Sequence, residues 1–272
     1  MNALPRSYLF VPGDRPERFA KALATDADAV VLDLEDAVAS PAKDAAREAV
    51  GLCLVQTAQP ERLVVRINDP STNWFQADLA LLRDRRAHSM MLPKAERAET
   101  VARVRLGCPD IAVLPLVETA RGVLAAEELA SAPGVQRLVF GTIDFVLDMG
   151  LEGELAATLG LDAAAARLAI ASRAAGIGSP VAGVTVAIDD EAALVADFAR
   201  ARALGFGAKL CIHPKQVAAV HTALAPTGEE LAWARRVLAA ADAAGGAAVQ
   251  LDGRMVDKPV IERARRLVQR AH

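Results

Sequence analysis

AVVLDLE, at residues 29–35, is a short, almost continuous apolar run that ends among closely spaced acids. Runs of this kind are typical of a strand buried on both faces of a parallel sheet. Similar runs recur along the chain, separated by Ala-, Arg- and Glu-rich stretches with a helical period. The sequence therefore predicts eight strands, near residues 7–12, 29–35, 62–68, 89–94, 112–118, 137–142, 181–186 and 208–213.

Strands that alternate with helices need right-handed crossovers, which predicts an α/β fold. Eight such units fit a closed (β/α)8 TIM barrel, which routinely needs about 250 residues. We expect residues 1–225 to form this barrel as the catalytic domain. Residues 226–272 then form a C-terminal helical extension, which covers an open end of the barrel or reaches a neighbouring subunit.

Composition excludes several classes of protein. The 272 residues carry 31 Lys and Arg against 34 Asp and Glu, a net charge of −3, without a basic block. This balance argues against nucleic acid and anionic membranes as partners. We also predict no membrane span, because no apolar run approaches about 18–20 residues. Three widely spaced cysteines form neither a disulfide framework nor a zinc motif, which favours a cytoplasmic location.

Polar residues collect where the predicted strands end. In a TIM barrel the loops after the strands build the active site, so these positions are the candidate site. Along the chain they are Asp14, Arg15, Asp33, Glu35, Asp36, Arg66, Asn68, Lys94, Glu118, Asp144 and His213. Charges at the ends of apolar strands are costly unless they are paired or bound to something.

Glu118 and Asp144 end consecutive strands, which are neighbours in a barrel. Two converging carboxylates repel unless a proton or a cation lies between them. Oxygen-only ligands favour Mg²⁺ or Mn²⁺. The alternative is that Glu118 pairs with Arg121 and that Asp144 caps a turn.

Arg66 has two interpretations. Its guanidinium suits a substrate carboxylate or an enolate oxygen, or it forms an internal ion pair with Asp33, Glu35 or Asp36. Those acids in turn hold metal-bound water or orient Arg66 and Lys94.

The cationic positions along the first predicted helix also have two interpretations. Arg15, Arg18 and Lys21 form a stripe that either binds phosphates or is solvated surface. His213, taken alone, is typical of a structural histidine rather than a metal ligand.

Several motifs resemble one known family. They are LFVPGDRPERF (9–19), DAVVLDLEDAV (28–38), VRIN (65–68), LPKAE (92–96), LPLVETARG (114–122), GFGAKLCIHPKQV (205–217) and DGRMVDKP (252–259). In this order they resemble the citrate lyase β-subunit family, within the HpcH/HpaI aldolase superfamily, whose relatives include malyl-CoA and citramalyl-CoA lyases. The similarity extends over nearly the whole chain.

The resemblance implies a barrel that assembles as a homotrimer or a hexamer and uses Mg²⁺ to cleave a carbon–carbon bond in a 3-hydroxy-acyl thioester. It implies Glu118 and Asp144 as metal ligands and Arg66 as the arginine that binds the 2-oxo acid. It implies coenzyme A contacts at Phe10, Arg15, Lys21, Ile212 and His213. The tail residue Asp257 is implied to act in the neighbouring subunit's site.

Two positions depart from the family pattern. Ile143 stands where many relatives have an acid, and Ala182 where many have an aspartate in the seventh strand. We expect both changes to remove polar groups from near the mouth of the barrel, which leaves the substrate open.

Four functions therefore remain. The first is a lyase that converts a citryl-, citramalyl- or malyl-CoA type thioester to acetyl-CoA and a 2-oxo acid. The second is a citrate lyase β-subunit that acts on an acyl-carrier-protein thioester within a complex. The third is a metal aldolase independent of coenzyme A, and the fourth is a non-catalytic barrel that binds a thioester or a partner.

Overall fold

The computed structural model of the chain describes residues 4–243 and 249–269. The chain divides into two compact units, Met1–Ala223 and Leu224–His272. Cys53, Cys108 and Cys211 are free thiols.

The first unit is a closed barrel of eight parallel strands in sequence order, which confirms the predicted fold. The strands are β1 (Ser7–Pro12), β2 (Ala29–Asp33), β3 (Leu63–Arg66), β4 (Ser89–Leu92), β5 (Ala112–Val117), β6 (Val139–Phe140), β7 (Val181–Ala182) and β8 (Ala208–Cys211). The barrel closes where Tyr8 of β1 pairs with Leu210 of β8. β6 and β7 are shorter than the sequence predicts, with two residues each.

Helices surround the barrel and follow its strands. They are α1 (Phe19–Leu23), α2 (Lys43–Gln56), α3 (Phe75–Asp84), α4 (Ala98–Gly107), α5 (Ala120–Leu124), α6 (Ala126–Ser131), α7 (Thr142–Asp148), α8 (Glu154–Ala174), α9 (Glu191–Ala203) and α10 (Lys215–Leu224). Short 3₁₀ helices at Pro16–Arg18, Ser40–Ala42 and Pro60–Arg62 complete the connections. Each begins with a proline or has one at its second position, where a missing backbone N–H costs no helical hydrogen bond.

Alternation along the strands determines which side chains face the barrel interior. Val31, Val64 and Leu116 lie in one buried interior cluster. Successive side chains of a strand point to opposite faces, so residues two positions further along point inward as well. Those residues are Asp33, Arg66 and Glu118, at the carboxyl ends of β2, β3 and β5. A single periodicity thus brings a basic and two acidic side chains to one mouth of the barrel.

The barrel interior and the strand faces under the helices are apolar. The free energy gained by burying these side chains offsets the cost of placing charged residues at the mouth of the barrel. Val30, Val31 and Leu32 of β2 are fully buried. Burial of one such side chain contributes roughly 1.5–3 kcal/mol. Because both faces of β2 are covered, the strand has the continuous apolar run seen in the sequence.

One barrel helix, α8, is long and apolar enough by length and composition to cross a membrane. The charged residues Asp162 and Arg167 interrupt it, so this helix does not contradict the expectation that no continuous apolar run approaches about 18–20 residues. One helix of this kind is weak support for a membrane span. Leu168 of α8 is fully buried, and Asp162 of α8 pairs with Arg200 of α9 at 2.6 Å, as expected of an outer barrel helix.

The second unit contains α11 (Gly228–Ala243), β9 (Val249–Leu251), β10 (Arg254–Val256) and α12 (Lys258–Gln269). The Thr227 hydroxyl accepts a hydrogen bond from the Glu230 backbone N–H at 3.1 Å, and the Thr227 N–H donates to the Glu230 carboxylate at 2.9 Å. This reciprocal cap fixes the start of α11. β9 and β10 form an antiparallel hairpin whose turn, at Asp252 and Gly253, has positive φ at both residues.

Candidate active site

A cavity of about 370 Å³ opens at the carboxyl end of the barrel strands. Seven of the predicted site residues line it: Phe10, Asp33, Asp36, Arg66, Glu118, Asp144 and Ile212. Leu116, Phe140, Val184 and Leu210 supply apolar wall. The cavity thus combines charged groups on one side with an apolar surface on the other, as binding sites for small molecules do.

Arg66 is the centre of a buried ion-pair network. Its Nε and Nη2 donate to the two carboxylate oxygens of Asp33 at 2.7 and 2.6 Å. Its Nη1 lies 3.0 Å from Glu35 Oε2 and 3.5 Å from Asp36 Oδ2. Its guanidinium also stacks over the Phe10 ring, 4.9 Å from the ring centre.

The predicted internal ion pair of Arg66 therefore forms with all three acids. This does not exclude the substrate interpretation, because Arg66 also lines the cavity. Asp33 holds the guanidinium at two points, and such a fixed fork is suited to planar carboxylates. The network orients Arg66 towards the cavity.

Glu35 lies behind this network rather than in the cavity wall. It is 6% exposed, and its pKa is raised to about 8, because burial, Asp36 and Glu118 raise it by more than Arg66 lowers it. Among the described residues no hydrogen-bond donor is aligned with its Oε2, although Arg66 Nη1 is close. Glu35 is thus a buried carboxyl whose closest cation is Arg66.

Lys43, at the start of α2, holds the loop that carries these acids. Its ammonium donates to the backbone carbonyls of Leu34 and Glu35 at 2.7 and 2.6 Å, and it lies over the Trp74 ring. Burial lowers the pKa of Lys43, against the raising effect of Asp33, Glu35 and other nearby acids. This lysine was not predicted as a site residue, since nothing in the sequence distinguishes it from a surface lysine at a helix start.

Glu118 is buried, with 3% exposure, immediately after β5. Its Oε1 accepts a hydrogen bond of 2.7 Å from the backbone N–H of Lys94. Lys94 has a φ of +43°, in the left-handed region that residues other than glycine rarely adopt. The ammonium of Lys94 lies 3.1 Å from Asp69.

Gly141 leaves the space that Glu118 occupies. A Cβ at this position would lie 2.6 Å from the Glu118 Cβ and 2.7 Å from its Oε2. The close approach requires glycine between β6 and α7. Neither Gly141 nor the backbone of Lys94 was predicted to shape the site. Of the two, only Gly141 could have been found from the sequence, because a glycine there separates a predicted strand from a helix.

Asp144 lies in the first turn of α7 and lines the same cavity as Glu118. The pKa of Glu118 is raised to about 7, because burial and the Asp144 carboxylate raise it by more than the Lys94 N–H and Arg66 lower it. The alternative pairing of Glu118 with Arg121 is wrong, since Arg121 lies 3.6 Å from Glu96.

These two carboxylates fit a hard divalent cation. Both donors are oxygens, and a cation between them would offset the mutual repulsion that contributes to the raised pKa of Glu118. Over residues 4–243 and 249–269, no cluster of three or more Asp, Glu, His or Cys forms a metal site. Mg²⁺ commonly takes only one or two protein carboxylates and completes its shell with water and substrate oxygens.

Other predicted site residues lie outside the cavity lining, and they include Asp14, Arg15, Lys21, Glu35, Asn68, Lys94, His213 and Asp257. Glu35 is one of them, and Arg15 and Lys21 are exposed, with Arg15 3.8 Å from Asp14. His213 follows the lining residue Ile212, and its Nδ1 accepts a hydrogen bond from the Lys215 N–H at 3.2 Å. That contact agrees with the structural role expected for a lone histidine.

Asp257 belongs to the second unit, where it precedes α12. Its Oδ1 accepts a hydrogen bond from the Val260 backbone N–H at 3.3 Å, so it serves as the N-cap of that helix. Its side chain is partly exposed. The capping contact leaves its second carboxylate oxygen for other partners.

The two departures from the family pattern lie in different places. Ile143 lines the cavity and is 52% exposed, as expected of a residue at the mouth. Ala182 does not line it: Val181 faces the interior, so Ala182 points outward and lines a small cavity under α8 and α9. The expectation that Ala182 removes a polar group from the mouth is therefore wrong.

Comparison with known proteins identifies the family to which this chain belongs. The family model described as HpcH/HpaI aldolase/citrate lyase matches residues 6–214. The chain belongs to this family. The match covers all eight strands and both carboxylates of the candidate metal site.

Relatives of this aldolase/citrate lyase chain include enzymes of more than one name. A citrate lyase subunit beta-like protein of Mycobacterium tuberculosis is 40% identical over 274 residues, covering 100% of this chain and 97% of the relative. A (3S)-malyl-CoA thioesterase of Cereibacter sphaeroides is 33% identical over 270 residues, covering 98% and 94%. The family thus includes lyase-like proteins and a thioesterase.

A solved structure in the same family extends the similarity to three dimensions. It is CitE from Mycobacterium tuberculosis in complex with magnesium, acetoacetate and coenzyme A. The TM-score is 0.87 at 38% identity, with 100% of this chain and 99% of that chain covered.

Proposed function

We propose that this chain is a Mg²⁺-dependent carbon–carbon lyase that acts on a 3-hydroxy-acyl-CoA thioester with a carboxylate beside its hydroxyl. The products are acetyl-CoA and a 2-oxo acid, and the substrates are of the citryl-, citramalyl- or malyl-CoA type. The observation that carries the proposal is that Glu118, Asp144 and Arg66 line one cavity at the catalytic end of a barrel. The magnesium and coenzyme A bound by the similar CitE structure support it.

Each charged residue has a distinct task in this scheme. Glu118 and Asp144 would hold Mg²⁺, which when bound supplies Lewis-acid polarisation of substrate oxygens. Arg66, fixed by Asp33, Glu35 and Asp36, binds the carboxylate of the oxo acid or stabilises the enolate oxygen left after cleavage. Asp257 transfers a proton to the enolate carbon to give acetyl-CoA, and the proton that the substrate hydroxyl releases on cleavage replaces it.

The thioester needs a second binding surface beside the charged one. Phe10 and Ile212 line the apolar wall of the cavity and are assigned to the acyl and pantetheine arm. His213 follows Ile212 along the chain. Arg15 and Lys21, exposed beside the end of β1, are assigned to the phosphates of coenzyme A.

We further propose a homotrimer or a hexamer in which Asp257 of one subunit serves the cavity of its neighbour. The partial exposure of Asp257, in a unit separate from the barrel, supports this assignment. Mass measurement of the purified protein in solution tests the subunit number.

The second candidate function is hydrolysis of the thioester. It is favoured by the relative named a (3S)-malyl-CoA thioesterase, which is similar over nearly the whole chain. The two functions differ in products: a lyase releases acetyl-CoA and a 2-oxo acid, whereas a thioesterase releases free coenzyme A and a hydroxy acid.

One experiment separates these functions. The purified chain is incubated with Mg²⁺ and citryl-, citramalyl- or malyl-CoA, and acetyl-CoA, free thiol and 2-oxo acid are measured together. We expect one of these substrates to yield acetyl-CoA and a 2-oxo acid in equimolar amounts. Free thiol without 2-oxo acid supports the thioesterase. Turnover of only an acyl-carrier-protein thioester supports the β-subunit function, and turnover of free hydroxy-oxo acids supports an aldolase.

A further inference from the structure

The loops after β7 and β8 form one side of the cavity. Val184, from the first loop, and Ile212, from the second, both line it. Ile212 is 36% exposed, and Val184 is partly buried against the barrel interior. Each loop is irregular at this point, so its position depends on contacts from elsewhere in the fold.

Gln216, in the first turn of α10, connects these two loops. Its side-chain oxygen accepts hydrogen bonds from the backbone N–H groups of Ile212 at 2.9 Å and His213 at 3.3 Å. Its side-chain nitrogen donates to the backbone carbonyl of Thr185 at 2.8 Å. The residue is 3% exposed, so these hydrogen bonds are shielded from water.

Lys209 of β8 anchors the first loop from its other side. Its ammonium is buried and donates to the Gly183 carbonyl at 2.8 Å and to Asp197 Oδ2 at 2.7 Å. The Thr185 hydroxyl donates to the same Asp197 oxygen at 2.5 Å. Lys209 thus fixes this loop to α9, and Gln216 then fixes the second loop to the first.

We propose that Gln216 is a positioning residue that sets the distance between the two loops and thereby the affinity of the site for coenzyme A. The inference rests on the proposed function in one respect, the assignment of the wall at Ile212 to the thioester arm. Loss of the amide leaves two N–H groups and one carbonyl without their partner, which is unfavourable for polar groups shielded from water. The loops then separate or rotate until water reaches these groups.

The chain supplies a matched control that links the same two loops. The ammonium of Lys215 lies 2.6 Å from Asp189, but their side chains are 66% and 79% exposed. Exposed ion pairs of this kind contribute little to stability. Asp189→Asn therefore removes the charge from an equally short contact between the loops and leaves no buried group without a partner.

The test uses the full chain with Gln216→Met, which conserves side-chain size and removes all three hydrogen bonds. Calorimetry measures the Kd of coenzyme A and of Mg²⁺, and hydrogen exchange measures the protection of the Ile212 and His213 amides. For Gln216→Met we expect coenzyme A to bind about tenfold more weakly, with Mg²⁺ affinity unchanged and both amides exchanging at least about tenfold faster. Asp189→Asn should match the wild type in every measurement.

If Gln216→Met does not fold, a second variant tests the same inference. Gln216→Glu retains the acceptor for the two N–H groups but loses the donor to Thr185, so exchange should accelerate in residues 183–185 and not at Ile212 and His213. Unchanged exchange in both variants, or an equal loss of coenzyme A and Mg²⁺ affinity, overturns the positioning role. Wild-type protein that binds no coenzyme A, with the exchange pattern as expected, contradicts the proposed function and the ligand assignment instead.

Discussion

The backbone N–H of Lys94 donates a 2.7 Å hydrogen bond to Oε1 of Glu118 from a left-handed backbone conformation. A non-glycine residue held at positive φ costs of order 1–3 kcal/mol and persists only where the surroundings enforce it. Such positions concentrate at functional sites. Here the unusual conformation directs a donor at the buried carboxylate proposed to hold the metal.

This relationship predicts that Mg²⁺ affinity depends more on the backbone conformation at position 94 than on the lysine side chain. Lys94→Asn should bind Mg²⁺ within about threefold of the wild type, because asparagine tolerates positive φ. Lys94→Val should weaken Mg²⁺ binding by at least about tenfold, because a β-branched residue does not tolerate it. Calorimetric titration with Mg²⁺ measures both, and equal affinity in the two variants would contradict this role of the backbone.

The acids around Arg66 should contribute unequally to stability. Asp33 is 1% exposed and contacts Arg66 at two points, whereas the Asp36 side chain is 66% exposed and lies 3.5 Å away. Breaking a buried pair costs about 3–5 kcal/mol, so Asp33→Asn should lower the free energy of unfolding by that amount. Asp36→Asn should lower it by less than about 1 kcal/mol. Urea unfolding measures both, and similar losses would show that Asp33 does not anchor Arg66.

The sequence predicts the barrel and most of the charged residues in the cavity for a single physical reason. Strand alternation fixes which face Asp33, Arg66 and Glu118 occupy, and parallel strands bring their carboxyl ends to one mouth. Lys43 and Gln216 were not predicted as site residues, because they contact backbone groups of the loops, and the residue types in the sequence do not reveal such contacts. The same holds for the Lys94 N–H, since a backbone conformation leaves no residue-type signal except glycine.

Ala182 shows a further limit. Its place at the end of a predicted strand suggests a position at the mouth, but β7 is only two residues long and Ala182 faces outward. A two-residue strand gives too short a pattern to determine from sequence which residue faces the interior.

Asp257 permits a test that separates its proposed chemistry from its structural role. Because its carboxylate caps α12, Asp257→Ala removes a cap worth about 0.5–2 kcal/mol as well as the acid. Asn is an equally good cap, so Asp257→Asn should keep the stability and lower turnover by about 10²–10⁴. Near-wild-type turnover by Asp257→Asn would remove Asp257 from the reaction.

Mixed oligomers test whether Asp257 acts across subunits. Asp257→Asn and Glu118→Gln chains should each be inactive alone. Co-expressed in equal amounts, they should recover about a quarter of the wild-type activity if each cavity uses the next subunit's Asp257. No recovery in verified mixed oligomers would mean that both residues must come from one chain.

His221 predicts a pH dependence of stability at the amino end of the barrel. Its Nε2 lies 2.9 Å from the Ser7 hydroxyl and 3.5 Å from Asp28. Burial lowers its pKa below the usual 6.5, and Arg6 lowers it further, while Asp28 and Asp26 raise it. The unfolded chain therefore binds a proton at His221 more readily than the folded chain does. The contribution of His221 to the free energy of unfolding is therefore lost as the pH falls below about 6.5.

Replacement of His221 tests this sign. Glu35 and Glu118, whose pKa values are raised, gain stability as the pH falls, so the test compares the wild type with His221→Asn in thermal unfolding between pH 7.5 and 5. The Tm of the wild type minus the Tm of His221→Asn should become smaller as the pH falls. An identical slope in both proteins would mean that His221 does not titrate on unfolding. A Tm difference that grows as the pH falls would contradict the direction of the shift.

The most direct test of the proposed lyase is the stoichiometry of divalent cation binding. Titration of the purified chain with Mg²⁺ should reveal one site per chain, weakened at least about tenfold by Glu118→Gln and by Asp144→Asn and lost in the double variant. One site that depends on both side chains means that the two carboxylates share one ion. Wild-type protein without a Mg²⁺ site, or single variants that bind Mg²⁺ as the wild type does, would contradict the account.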